Sequence, residues 1–330
     1  MKSTVAMLSL DRVLRTTVAT IALLSGASDV WAWPTRPVVL LTSSSPGSPV
    51  DLAARLVAEG LAFRLGQPFV VDNRPGADGI IALEAIRTAL PDGHQLLMTN
   101  LGALTVNPLL HAKLPYDPER DFTPVTIVAG DTLVVAASTA FGPDTLGAAL
   151  EKARARPQAY SWAAAPGGTH LTGLEILRTT GTPMTFIPYR SLQQAALDLG
   201  EDRVQLLIAP LVLVLPQVQS GKVRLLAVLS DQRSPLAPGI ATIREAGYPA
   251  LASSGAISLF GPAGLPVDVV TTLGRAVASL LAEPEVVRRL EQAGMTPVGT
   301  GPKALAERRA ADAARWARVA REHGLVPAER

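Results

Sequence analysis

The unit Val38-Val39-Leu40-Leu41, then Ser43-Ser44-Ser45-Pro46-Gly47-Ser48-Pro49-Val50-Asp51, then an apolar-periodic run to Leu65 constrains this chain most. An unbroken apolar run followed by a small-residue turn and a 3.6-period segment reads as strand, tight loop and helix. Ser48 suits an N-cap, Pro49 suits the first helical position, and Asp51 stands three residues after Ser48, as in a capping box. A small-residue turn at the C-terminal end of a strand, opening a helix, is where α/β proteins receive anions. Asp51 has two readings, helix capping or ligand contact directly or through water, and capping is preferred.

The same grammar continues. Strand signals fall at Pro68–Val71, Gln95–Thr99, Leu133–Ala137, Ala159–Trp162, Met184–Ile187, Val204–Ile208, Val223–Leu229 and Ile257–Phe260. Helical signals fall near Ile80–Ile86, Asp144–Arg154, Leu171–Leu177, Pro266–Leu281, Pro284–Ala293 and Lys303–His323, while residues 100–121 read as irregular. Alternation of this kind predicts βα units around largely parallel sheets. The opening loop recurs in kind at Ala163-Ala164-Ala165-Pro166-Gly167-Gly168-Thr169, again between a strand and a helix start. Two such turns suggest two lobes, each offering one turn to a shared cleft.

Composition removes several function classes. Lys2, Arg12 and Arg15 precede the apolar run Val18–Leu24, and Val30-Trp31-Ala32 follows it, the pattern of a secretory signal peptide cleaved before Trp33. No run approaches a membrane span, so the expectation is a soluble exported protein, periplasmic in a Gram-negative source. The 330 residues carry a net charge of +2 with both signs scattered, and aromatics are 4%, which makes nucleic acid a poor partner. Cysteine is absent, so disulfides, thiol catalysis and cysteine-bound metals are excluded. Phosphate-cradling glycine motifs and the Gly-x-Ser-x-Gly elbow are missing, and the four histidines have no metal-ligand spacing. No cofactor and no metal are expected. His170, at the start of the second turn's helix, should have its pKa lowered by the helix dipole and act as a neutral ring orienting the loop. Tyr189 and Arg190, after strand Met184–Ile187, can point at the cleft, and Arg74 can lock its loop by bonding carbonyls.

Several segments together resemble a known family. They are Trp33-Pro34-Thr35-Arg36-Pro37, Pro46-Gly47 with Asp51, Leu65-Gly66-Gln67-Pro68 through Asn73-Arg74-Pro75-Gly76-Ala77, Pro91-Asp92-Gly93 and Asn107-Pro108. Leu114-Pro115-Tyr116-Asp117-Pro118 with Asp121-Phe122, His170-Leu171, Pro188-Tyr189, Ser220-Gly221-Lys222, Arg233-Ser234 and Glu245-Ala246-Gly247 extend the match. In this order they resemble the Bug family, extracytoplasmic solute-binding proteins related to tripartite tricarboxylate transporters.

The resemblance implies an α/β, two-lobed periplasmic-binding-protein fold of the Venus flytrap, type II-like class, without catalytic apparatus. Lobe 1 would be 33–132 plus 259–330 and lobe 2 would be 133–258, with hinge strands near Leu133–Ala137 and Ile257–Phe260. The ligand would be a small carboxylate held between the turns at 43–51 and 163–170, partly through waters. The implied site comprises Ser44, Ser45, Pro46, Gly47, Ser48 and Asp51 on one side. On the other it comprises Ala165, Pro166, Gly167, Gly168, Thr169, His170, Tyr189, Arg190 and Ala209. Hydroxyls of Ser45, Ser48 and Thr169 and loop amides would hold the carboxylate.

Ser43, Ser44, Ser48 and Pro49 depart from the family's first turn, and Gln205 and Ala209 stand where acidic residues are common, so specificity should differ. The expected partner is a permease of the tripartite tricarboxylate type, with a monomeric binding protein. A sensor delivering to a kinase is the alternative. A hydrolase using Ser45 and His170 is a distant one, since it lacks an orienting carboxylate and an elbow.

Overall fold

The computed structural model describes residues 33–165 and 167–325. The signal-peptide stretch, 1–32, and Pro166 lie outside the described residues. All elements below belong to one compact unit, Arg36–Arg330. They form an α/β architecture with two sheets, as read from the sequence.

The first sheet has six strands: β1 (Val38–Thr42), β2 (Phe69–Asn73), β3 (Gln95–Asn100), β4 (Phe122–Asp131), β10 (Ile257–Pro262) and β11 (Met295–Pro297). Its order is β11-β4-β10-β3-β1-β2. Helices α1 (Pro49–Leu65) and α2 (Ile80–Arg87) cross over between β1, β2 and β3, so those strands are parallel. Strands β10, β4 and β11 pair antiparallel, so the sheet is mixed and not largely parallel.

The long strand β4 escapes sequence reading because Thr123, Pro124 and Thr126 interrupt its apolar run. Pro124 is accommodated opposite Phe260, where the ladder shifts register beyond Leu259, and β11 pairs only the far end of β4. Residues 100–121 also contain two short helices, α3 (Gly102–Thr105) and α4 (Asn107–Leu110).

A single residue, Thr132, separates β4 from β5 (Leu133–Ser138), which lies in the second sheet. That sheet adds β6 (Ser161–Ala164), β7 (Thr185–Pro188), β8 (Leu206–Pro210) and β9 (Val223–Val228), in the order β7-β6-β8-β5-β9. Strand β5 is antiparallel to both neighbours, while β6 runs parallel to β7 and β8. Both faces are covered. Val135 and Ala137 join Trp162 and Ile176 on one face, and Val134 and Ala136 join Ala195 and Leu199 on the other. Burial on both faces explains why β5 reads as a continuous apolar run.

The connections of this sheet include α5 (Leu146–Ala155), α6 (Gly168–Thr179), α7 (Leu192–Gly200) and α8 (Leu211–Gln219). After β10 come α9 (Val267–Leu281), α10 (Pro284–Gln292) and α11 (Pro302–Glu322).

Helix α11 ties distant parts together. Leu305 enters the core of the first sheet, while Trp316 and Val319 pack with Val106 and Leu171. Arg315 and Arg318 donate to the buried Glu175 of α6 at 2.5 and 2.8 Å. Glu175→Ala is expected to lower stability by about 2 kcal/mol, below the cost of orphaning a fully buried charge because both arginines keep partial solvent access. Thermal denaturation of the variant checks this.

Candidate functional site

The first turn is held from within. Ser48 caps α1 as expected, its hydroxyl accepting from the Asp51 amide at 3.3 Å. The reciprocal half of the capping box is not formed. The Ser48 amide donates to the Ser45 carbonyl, and the Asp51 carboxylate accepts from the Gly47 amide at 2.8 Å and the Asn73 side-chain amide at 2.8 Å. Gly47, at φ +80°, adopts the left-handed bend of this loop at no steric penalty. Arg55, one turn along the helix, also reaches Asp51.

Burial alone would raise the Asp51 carboxyl. Bonds from Arg55, Asn73 and the Gly47 amide outweigh it and hold the group below its ordinary value. Asp51 therefore ties together the loop, α1 and the end of β2. Asp51→Ala is expected to cost about 2–3 kcal/mol, since several bonds to a buried carboxylate disappear at once. A urea titration near neutral pH measures the loss. In the wild type this contribution is present above the unfolded carboxylate pKa and fades as pH falls through the lower folded value.

Beyond this turn lies a cavity of about 390 Å³. Ser44 comes from the end of the β1 turn, with Asn100, Leu101, Gly102 and Thr105 after β3. Asp131 and Leu133 stand where β4 gives way to β5, Ala165, Gly168, Thr169 and Thr172 follow β6, and Leu192 and Pro210 lie near α7 and β8. Ser253, Ser254, Gly255 and Ala256 precede β10, and Asp312 with Trp316 project from α11. Both sheets thus supply walls, and the volume suits a small metabolite.

Among the described residues, no lysine or arginine lines this cavity. The donors are neutral. Among the described residues, no hydrogen bond engages the Ser44 hydroxyl or the Asn100 side-chain amide group, while the Asn100 side-chain oxygen accepts from the Gly102 amide. Helix α6 begins at Gly168 without a side-chain cap, and Gly168 and Thr169 line the cavity, so the positive end of the helix dipole lies at this wall.

Of the residues expected from the sequence, Ser44, Ala165, Gly168 and Thr169 line the cavity. Thr169 does so differently from expectation, because its hydroxyl donates to the Ala165 carbonyl at 2.9 Å. Ser45, Pro46 and Gly47 are exposed at the loop tip, and Ser48 and Asp51 serve the cap. Gly167, at φ +108°, makes the bend into α6.

His170 packs among aromatic rings. Its ring stacks on Phe186 at 4.0 Å between centroids, and burial, followed by repulsion from His323, lowers its pKa to about 4. The lowered pKa agrees with the neutral ring expected from the sequence, with burial as its first cause. The Tyr189 hydroxyl donates to Asp198 at 2.7 Å, Arg190 is exposed, and Ala209 is sealed between β8 and the α7–α8 layer. Gln205 accepts from the Ser161 amide, and Arg74 pairs with Asp72 rather than with loop carbonyls.

Sequence reading missed Asn100, Asp131, the 253–256 segment, Asp312 and Trp316. The Thr99-Asn100-Leu101-Gly102 run does carry the strand-end, small-residue signal used for the first turn. Nothing local marks the others.

Residues 53–325 match the family model described as "Tripartite tricarboxylate transporter family receptor". The chain belongs to this receptor family. It is the Bug group that the sequence segments resembled, a family of binding proteins rather than enzymes. BugT of Bordetella pertussis is 34% identical over 296 residues, covering 88% of this chain and 90% of its own. Among solved structures, R. palustris Rpa4515 with adipate is similar with a TM-score of 0.81 at 32% identity, covering 90% of this chain and 100% of that one. MatC from Rhodopseudomonas palustris with bound malate has a TM-score of 0.74 at 29% identity, covering 87% and 99% respectively. The two-sheet fold of this receptor is therefore that of the binding proteins.

Proposed function

We propose that this receptor captures a small carboxylate in the cavity between its two sheets and presents it to a membrane permease of the tripartite tricarboxylate type. The observation that carries this reading is the uncapped N-terminus of α6 opening on a cavity whose other walls come from the first sheet and α11. Neutral hydroxyl and amide donors with a helix dipole can hold a carboxylate without a counter-cation. The adipate and malate bound by the two R. palustris relatives support the same ligand class.

The lobes are 33–132 with 259–330, and 133–258, joined where β4 passes to β5 and where the chain enters β10. Closure about these crossings would bring the walls together on the ligand. The working place is the periplasm, supported by the export signal read at the N-terminus. Among the described residues, no helix is long and apolar enough to cross a membrane. One chain supplies both walls, which fits a monomer.

Calorimetry and thermal denaturation against a panel of mono- and dicarboxylates, on protein stripped of bound metabolite, test the reading. A true ligand at about a hundred times its Kd should stabilise the fold by about 2.7 kcal/mol. If none of the panel shifts the melting temperature, the reading fails. Recovery of a sensor kinase and no permease in a pull-down would replace the permease with a signalling partner.

A further inference from the structure

Two chain crossings join the proposed lobes, one at Thr132 between β4 and β5 and one where 252–256 leads into β10. They run side by side. A Cβ on Gly130 would touch the Gly255 carbonyl at 3.5 Å, and a Cβ on Gly255 would run into the Asp131 carboxylate. Two neighbouring crossings define a hinge, and a hinge alone leaves the opening angle free. Fixing that angle takes a third fastening, away from the crossings.

Helix α11 supplies one. Its Leu305 enters the core of the first sheet, while its second half packs on α6, whose Ile176 lies in the core of the second. Arg315 and Arg318 both donate to the Glu175 carboxylate, Arg178 pairs with Glu322 at 2.8 Å, and Trp316 and Val319 pack on Leu171. From Leu171 to Arg178 this seam follows α6 for about 10 Å. Arg315 also links it to the hinge and to the cavity. It donates to the Ala252 carbonyl of the second crossing at 3.0 Å, and its guanidinium lies 4.8 Å from the ring centre of Trp316, a cavity residue.

Most charges of the seam already touch water. The side chains of Arg315, Arg318, Arg178 and Glu322 are 22%, 45%, 44% and 33% exposed, so parting the helices newly hydrates mainly Glu175. Ion pairs in contact with water part and re-form readily.

We propose that the α6–α11 seam is a releasable latch that sets how far the lobes open, with Glu175 as its release point. Its role in admitting ligand rests on the proposed binding function. Engaged, the latch holds the two cavity walls in the arrangement described. Released, it lets α6 and the wall at Gly168 and Thr169 swing away from α11 about the two crossings. None of Glu175, Arg315 and Arg318 lines the cavity, so the latch acts on access and not on ligand contacts.

Spin labels test this on stripped protein without ligand, because the chain has no native cysteine to take a label. Glu84→Cys in α2 with Gln193→Cys in α7 reports between the two sheets, and Glu151→Cys in α5 with Gln193→Cys reports within the second lobe. In pulsed dipolar measurements, Glu175→Gln should raise the fraction of molecules at longer inter-sheet distances by at least about tenfold. Arg318→Gln, the milder change at a half-exposed position, should raise it by at least about twofold. The distance within the second lobe should stay as in the wild type.

The proposal is overturned if Glu175→Gln leaves the inter-sheet distances unchanged. A change in the distance within the second lobe also overturns it, since that marks loosening of α6 on its own sheet. Should Glu175→Gln fail to fold in circular dichroism melts, Arg318→Gln decides by the same two criteria. None of these measurements uses a ligand, so the binding reading stands or falls separately on its carboxylate panel.

Discussion

Replacing Gly173 by alanine is expected to lower the stability of the receptor by about 3 kcal/mol, near the upper end of the penalty for overpacking a core. Gly173 lies in the buried face of α6. A Cβ at this position would stand 2.1 Å from the Trp162 ring. The ring cannot retreat easily. Trp162 is 2% exposed, Phe186 packs against it at 4.6 Å between centroids, and His170 stacks on Phe186 in turn.

Space at Gly173 therefore decides how closely α6 approaches β6. Because the N-terminus of α6 forms part of the cavity, a shifted helix would also displace the amides offered to a carboxylate. Guanidinium denaturation gives the stability change, and calorimetry with a ligand found in the panel gives the second effect. A loss below about 0.5 kcal/mol would show that the helix moves aside without resistance.

Asp131→Asn is expected to act in the opposite direction, raising the stability of the ligand-free protein by about 2 kcal/mol at pH 7.5. Burial pushes the Asp131 carboxyl up to about 6 from an ordinary 3.8, with Arg308 only partly offsetting it. For an acid whose folded pKa is raised, stability is complete below the unfolded value and is lost as pH rises through the folded one. The penalty is therefore absent near pH 3.5, grows between about 4 and 6, and is full above. Asparagine is neutral and as polar as the protonated acid, so the difference between the two proteins isolates the charge.

Melts of both proteins from pH 4 to 8 check this, and a gap that does not widen with pH would refute it. His170 bends the wild-type profile the other way. A histidine with its pKa lowered to about 4 stabilises the fold above about 6.5, an effect lost as pH falls. The comparison of the two proteins cancels that common contribution.

What could be read in advance followed physical locality. The first strand, turn and helix were legible because Ser48, Pro49 and Gly47 act on their own neighbourhood, and the cap formed as read. Strand β5 was legible because burial on both faces leaves a plain apolar run. The second turn's place on the cavity followed from the same strand-to-helix grammar.

The reading failed where a residue's role is set by partners far along the chain. Asp51 has the spacing of a capping box, yet Asn73 and Gly47 take its carboxylate. Thr169 has the right hydroxyl in the right loop, and a carbonyl four residues back accepts its hydrogen. Asp131 is one acid among many until β10 brings Gly255 against it. Strand β4 was hidden by a proline that only its irregular pairing with β10 makes harmless.

The long helix α11 has a consequence for how the receptor is made. It supplies Asp312 and Trp316 to the cavity and both arginines to Glu175, and it is the last described element of the chain. Every strand of both sheets is synthesised before it. A chain cut short ahead of residue 302 would retain all eleven described strands and both turns, yet its pocket would lack a wall. On the proposed reading, the power to bind is thus gained only once 302–322 has been made and docked, after every described strand, which makes ligand retention a readout of that docking as well as of the sheets.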